Sequence, residues 1–380
     1  MSAGRFFALL ALLIWSYLAL GRGLFWLPRV AKPVPAPKAW PKVTVVVPAR
    51  DEAATVAAAV TSLLRQDYPG AFSIVLVDDH STDGTAQIAR DAAAALGLGE
   101  RLQVVAARPL PEGWTGKLWA LAEGVVAAGA AGAPDLYLFT DADIEHHPRN
   151  LAELVARVET GYDLASLMVM LHCRSAAERF LIPAFVYFFA MIYPFGWCTD
   201  ARKRIAAAAG GCILMRRAAF ERIGGFEAIK GELIDDCALA RAVKHGGRTW
   251  LGFTRETRSL RVYPTLGAIW NMIARTAYAQ LGYSVLLLLG TIAALTVTFV
   301  VPIAVLPASG LAAVLALAAW AIMSATYVPM LRFYGLSVLR APLLPVIAVV
   351  YLAATVASAW RHWRGRGGEW KGRVSWHSQP

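Results

Sequence analysis

Polar and apolar positions are unevenly distributed along this chain. Phe6 to Gly21 carries no charge, and no Asp, Glu, Lys, Arg or His occurs between Arg275 and Arg332 or between Arg340 and Arg361. A membrane-crossing helix needs roughly 20 mostly apolar residues, and these stretches are long enough. The pattern divides the chain into an N-terminal anchor over 1–28, a linker over 29–42, a polar domain over 43–275, an apolar region over 276–360 and a basic tail over 361–380. The linker includes AKPVPAPKAWPK, which is proline-rich and extended. The apolar region is expected to hold two to three spans. Its last segment, 341–360, contains Pro342 and Pro345 and is the candidate for a re-entrant or interfacial piece.

Within the polar domain the period changes. VTVVVP from Val43 is a continuous β-branched run, which predicts a strand buried on both faces. An alanine-rich helix follows to about Arg65. FSIVLVDD is a second strand, TAQIARDAAAALG a helix ending at Gly97, LQVVAA a third strand and DLYLFTDAD a fourth. Alternating strands and helices predict an α/β fold with a mostly parallel sheet covered on both sides. Ligands of such sheets lie beyond the carboxyl ends of the strands. The acids fall there: Asp51 with Glu52, Asp78 with Asp79, and Asp141 with Asp143.

One stretch does not follow hydropathy simply. Phe180 to Thr199 is uncharged, aromatic-rich and long enough to span, yet acids that would share one site lie on both sides of it. It is therefore expected to lie in the interface plane, bent at Pro183 or Pro194. The alternative is a buried core helix.

Charge adds an orientation. The chain of 380 residues carries a net +11, and its cations crowd the flanks of the apolar stretches. Arg5 precedes the N-terminal run, while Arg22, Arg29, Lys32, Lys38 and Lys42 follow it. By the positive-inside rule this puts the polar domain in the cytoplasm, on the inner membrane of a multi-pass protein. One anchor and three full spans would leave the basic tail outside, against the same rule. No nucleic-acid-binding motif accompanies the positive charge. The cysteines Cys173, Cys198, Cys212 and Cys237 form no CxxC and show no zinc spacing, so they read as reduced thiols.

The candidate chemistry starts with TDADI. Two carboxylates two residues apart at a strand end can both reach one divalent cation, and hard oxygen ligands suit Mg²⁺ or Mn²⁺. In LVDDHSTDGT, Asp79 is placed to accept hydrogen bonds from a base or ribose, while Asp83 and Thr85 are expected to cap the following helix. Lys117 in GWTGKLWAL is either a phosphate contact or a solvated surface lysine. In IKGELIDDCALARAVKHGG, adjacent acids open an amphipathic helix. They either complement its dipole or supply a base for an acceptor hydroxyl. His146 and His147 either reach the metal and leaving phosphate or cap the helix near Pro148.

Taken together, these segments resemble family 2 of the inverting glycosyltransferases, with the GT-A (Rossmann-like) fold. VVVPARDEA is similar to the family's opening strand and turn, with Asp51 at the usual asparagine. LVDDHSTDGT is similar to its nucleotide-binding strand end, TDAD to its metal motif, and AGGCILMRRAAFERIGGF to its glycine-pair segment, with Gly210 and Gly211 as the pair. IDDCAL resembles the Glu-Asp pair, with Asp235 replacing Glu. The resemblance implies that Pro48, Ala49, Glu52 and Asp79 line the nucleoside pocket. It also implies that Asp141 and Asp143 serve metal and diphosphate, and that Asp236 is the general base. The cofactor implied is Mg²⁺ or Mn²⁺, and the partners a nucleotide-sugar donor and a lipid acceptor.

Processive members carry a Gln/Arg-x-x-Arg-Trp motif that AIWNMIARTAYAQL lacks, although Trp270, Asn271 and Arg275 are present. The arrangement of anchor, domain and apolar tail ending in EWKGRVSW most resembles the hopene-associated glycosyltransferases, which implies a hopanoid-like acceptor. Two other readings are a processive polysaccharide synthase and a catalytically silent relative that binds lipid or protein. Product length separates the first, and nucleotide-sugar turnover the second.

Overall fold

The computed structural model describes residues 2–366, which form two compact units. Arg29–His172 and Trp197–Arg261 make the polar unit. Residues 2–28, Cys173–Gly196 and residues 262–366 make the apolar one. The WKGR tail, with Trp370, Lys371 and Arg373, lies outside the described residues.

The polar unit is built on one curled sheet with strands β1 (Val43–Ala49), β2 (Phe72–Asp78), β3 (Leu102–Ala106), β4 (Leu136–Phe139), β5 (Ile144–Glu145), β6 (Leu164–Met170), β7 (Ile213–Arg216) and β8 (Thr249–Ser259). Their order across the sheet is β3-β2-β1-β4-β7-β6-β8-β5. β1 pairs in parallel with β2 and β4, and β2 with β3. β7 runs antiparallel between β4 and β6, β6 is parallel to β8, and β5 closes antiparallel on the end of β8.

The continuous apolar runs follow from burial on both faces. Successive side chains of a strand point to opposite sides. Val43, Val45 and Val47 of β1, with Ile74 and Leu76 of β2, pack in one core layer. Val46, Val75 and Val77 pack in the other, against the helix Gly116–Ala130. That helix approaches closely because residue 124 is glycine. A Cβ there would meet Val46 Cγ1 at 2.3 Å and Val77 Cγ2 at 3.0 Å.

The turns after β1 and β2 are fastened to each other. Glu52 N–H donates to Thr85 Oγ1 at 2.8 Å, Ala53 N–H to Asp83 Oδ2 at 2.9 Å, and Thr82 N–H to Asp51 Oδ1 at 2.8 Å. Asp83 also accepts from Thr85 N–H at 3.1 Å, but the N-cap of the helix Thr85–Ala95 is Gly84, so neither Asp83 nor Thr85 is the cap expected from sequence. Asp51 holds φ at +48°, a left-handed conformation that Asn and Asp tolerate better than most residues. This matches the substitution of Asp for the family's asparagine.

Among the described residues of the apolar unit, four helices are long and apolar enough to cross a membrane: Ala3–Leu20, Val285–Ala304, Leu311–Phe333 and Val338–Trp363. The helix Ala176–Ile192 belongs to the same unit. It runs through Pro183 and stops before Pro194, and a short helix, Phe195–Thr199, follows. A Ser175–Glu178 capping box starts it, and Glu178 also accepts from Tyr263 N–H at 2.7 Å. Two polar contacts inside the unit join distant helices. Tyr187 Oη and Thr326 Oγ1 lie 2.8 Å apart, and Trp15 Nε1–H donates to Thr298 O at 2.7 Å. Thr298 sits in a π-helical turn, Thr296–Val300, ahead of Pro302. Such a turn and such a proline both displace backbone partners.

Candidate active site

The site lies at the carboxyl edge of β1, β2 and β4. Pro48, Lys117, Thr140, Asp141, Gly210, Asp235 and Asp236 line one cavity there. Apolar walls come from Phe139, Phe226 and Leu239. Phe139, the last residue of β4, packs against Phe226 with ring centroids 5.0 Å apart.

Lys117 stands at the start of its helix, after the cap Thr115. Its Nζ lies 2.9 Å from Asp141 Oδ1 and 3.4 Å from Asp235 Oδ2. It is no solvated surface lysine. Burial disfavours its charge, but Asp141 and then Asp235 outweigh burial and raise its pKa, so it stays cationic. It links the metal motif to the acidic pair.

Asp236 sits in the first turn of the helix Asp235–Lys244. Its Oδ2 accepts Gly210 N–H at 2.8 Å and its Oδ1 accepts Cys237 N–H at 2.7 Å. Burial, reinforced by Asp235, lifts its pKa to about 6 against the opposing pull of Lys117 and these amides. A side chain at position 210 would crowd the site. A Cβ would stand 3.2 Å from Lys117 Nζ and 3.3 Å from Asp236 Oδ2.

The residues expected to line a nucleoside pocket are close by in the fold. Asp79 is fully buried, its N–H donates to Ala49 O at 2.8 Å, and Arg50 Nη1 lies 3.5 Å from its Oδ2. Ala49 contributes its side chain to the core, so only its backbone faces this edge. Glu52 Oε1 is 2.7 Å from Arg261 Nη2, and Arg261 Nε is 2.5 Å from Asp143 Oδ2. Burial and Asp141 raise the pKa of Asp143, while Arg261 opposes them.

Gly211 joins the site through a buried relay. Thr140 Oγ1–H donates to Gly211 O at 2.7 Å, and His146 Nε2 lies 2.8 Å from the same hydroxyl oxygen. Asn150 Nδ2 lies 2.9 Å from His146 Nδ1. With the Thr140 proton directed at Gly211, His146 must donate from Nε2 and accept at Nδ1. Burial holds its pKa down to about 3, so it is neutral. His146 therefore serves neither of the two roles expected of it. His147 accepts Arg149 N–H at 3.3 Å, but the helix Asn150–Glu159 has Arg149 as its N-cap and no side-chain cap bond, so His147 does not cap it.

Asp141 and Asp143 offer hard oxygen donors. Among the described residues no group of three or more His, Cys, Asp or Glu forms a self-sufficient metal cage. Two carboxylates completed by substrate phosphates is how Mg²⁺ is commonly held, so the residues present fit a cation shared with a diphosphate. Sequence reasoning missed Arg50, Arg261, Thr140 and Asn150. Arg50 lies inside the turn already singled out. Arg261 ends a run with Arg255 and Arg258, and nothing in that spacing marks it.

The fold is GT-A-like, and the family match makes the chain a nucleotide-sugar-dependent glycosyltransferase. The sequence profile described as Glycosyltransferase like family 2 matches residues 41–279, and the chain belongs to that family. Among solved structures it is similar to the mannosyltransferase PcManGT from Pyrobaculum calidifontis, in complex with GDP-Man and Mn²⁺. That match has 20% identity and a TM-score of 0.57, covering 93% of this chain and 99% of that one. It also matches glucosyl-3-phosphoglycerate synthase from Mycobacterium tuberculosis, at 18% identity and a TM-score of 0.44, over 67% of this chain and 87% of that one. No curated protein sequence matches.

Proposed function

We propose that this glycosyltransferase moves a sugar from a nucleoside-diphosphate sugar onto a lipid hydroxyl, with inversion, at the cytoplasmic face of the inner membrane. The observation that carries the reading is the shared cavity of Asp236, Lys117 and Asp141. A base and a diphosphate-binding edge must face one reacting centre, and Lys117 spans that gap.

Asp236 takes the proton of the acceptor hydroxyl as it attacks the anomeric carbon. Its raised pKa brings it nearer neutrality, where a base works best. Gly210, held by its amide on Asp236, leaves space for sugar and acceptor to meet. Lys117 offers its charge to the departing diphosphate. Asp141 and Asp143 would hold Mg²⁺ or Mn²⁺, which when bound stabilises the leaving group as a Lewis acid. The Pyrobaculum mannosyltransferase, bound to GDP-Man and Mn²⁺, supports this set of partners.

Four helices of membrane-crossing length, and cations concentrated after the first of them, support a membrane-embedded enzyme and a lipid acceptor. The tail's likeness to hopene-associated enzymes favours a hopanoid. Purified enzyme should be incubated with a panel of nucleotide-sugars and lipid extracts, with products read by mass spectrometry. A glycosylated polycyclic lipid is expected. A long glycan, or glycosylation of water-soluble acceptors alone, would refute the lipid assignment.

A further inference from the structure

We infer that Arg261 is a counter-ion that keeps Asp143 from binding a divalent cation until the donor's diphosphate arrives. This rests on the proposed function in so far as Asp141 and Asp143 are the cation's ligands there.

The geometry is that of a guanidinium fork closed on two acids. Arg261 Nε meets Asp143 Oδ2 at 2.5 Å, and Nη2 meets Glu52 Oε1 at 2.7 Å. Both are charge-assisted bonds, the stronger kind. Asp143 is buried, and a buried carboxylate stripped of its partner is costly. The sheet delivers the arginine to this place. Ile144 pairs with Ser259 across β5 and β8, and Leu260 N–H donates to Asp143 O at 2.7 Å. The chain is thus fixed one residue before Arg261.

The surrounding charges are matched in the same way. Asp79 lies beside Arg50, and Asp141 beside Lys117. A cation approaching Asp143 alone would meet a guanidinium already bound to the same oxygen. A diphosphate changes this balance, because its oxygens suit an arginine fork as well as carboxylates do. Arg261 keeps 36% of its side chain exposed, so it can swing. Once it turns to the phosphate, Asp143 becomes open to the cation. Cation and nucleotide then bind as a unit, and their coupling is reciprocal.

The test is Mn²⁺ binding, read by the loss of the free-ion paramagnetic resonance signal. It uses the full chain in detergent, with and without GDP or UDP. Wild type is expected to bind Mn²⁺ weakly alone and at least ~10-fold tighter with a nucleoside diphosphate, within the usual span of coupling between sites. Arg261→Met should bind Mn²⁺ alone ~10-fold tighter than wild type and lose most of the nucleotide-dependent gain. Arg261→Lys, which keeps charge without the fork, should fall between; it decides the matter if the Met variant does not fold by thermal melting. A folded Arg261→Met no tighter for Mn²⁺ than wild type overturns the inference and leaves the metal-assisted reading standing. Wild type that binds no Mn²⁺ even with either nucleotide overturns both.

Discussion

Asp236 has both carboxylate oxygens engaged by backbone amides, yet its pKa is lifted to about 6. A base must be ionised to act, so its raised value sets the acid limb of activity. kcat/KM is expected to fall as pH drops through about 6, and the limb should vanish in Asp236→Asn. That variant keeps the size and one acceptor oxygen of the side chain but cannot readily take a proton. Transfer should drop by ~10²-fold or more, the scale of a lost general base, with donor affinity by calorimetry kept within a few fold. Asp235→Asn should do less, because Asp235 faces Lys117. Wild-type rates in Asp236→Asn with a dead Asp235→Asn would reverse the assignment of the pair. The relay behind the site is testable separately. Thr140→Val removes the hydroxyl between His146 and Gly211 and leaves both without that partner. A buried polar group left unmet costs about 1–3 kcal/mol, so urea unfolding should show a loss of that size, and Thr140→Ser should restore most of it.

The first four strands could be located from sequence because each is a short, mostly apolar run; in β1 and β2 the runs are β-branched, buried on both faces and shared between two core layers, whereas β3 is only partly buried. The last four could not, and β5 is only two residues long. β7 spans only Ile213–Arg216. β8 carries exposed Arg255, Glu256 and Arg258 in its second half, which breaks its apolar run. This limit explains what was missed at the site. Asp141, Lys117, Gly210 and Asp236 sit in local segments with recognisable neighbours. Arg261 reaches Asp143 only through the pairing of β5 with β8, a contact across more than a hundred residues that no local pattern encodes. The helix Gly116–Ala130 offers a test of packing at this scale. Gly124→Ala would press a methyl into Val46. Overpacking of this kind costs about 1–3 kcal/mol, so melting should fall by several degrees, although alanine favours helix. An unchanged melting point would show that the strand yields freely there.

At the scale of the whole molecule, the proposed chemistry should need a divalent cation. Excess chelator should abolish transfer, Mg²⁺ or Mn²⁺ should restore it, and Asp143→Ala should be inactive yet folded. Full activity in chelator would remove the metal from the mechanism. The segment Phe180 to Thr199 bears on topology. Cysteines placed at Arg174 and Arg202, in a background lacking the native thiols, are expected to resist an impermeant reagent applied from outside. Labelling at either position would contradict a cytoplasmic placement of both flanks.

The bond from Trp15 to Thr298 has a further consequence, for the order in which the protein is made. Its two ends are separated by 283 positions. A ribosome adding roughly 5–20 residues per second needs on the order of a quarter of a minute to a minute to supply the second partner after the first. Trp15 is fully buried in the finished unit. On the membrane-embedded reading proposed above, its indole waits in the membrane, or at its surface, while the polar domain emerges and folds. The first helix is then a wall of the apolar unit that is laid early and closed late. Removing it to obtain a soluble enzyme should leave the carbonyl of Thr298 and the ring of Phe299, 5.4 Å from Trp15, facing a gap. Supplying that helix as a separate peptide during synthesis should recover yield if the gap is the cause.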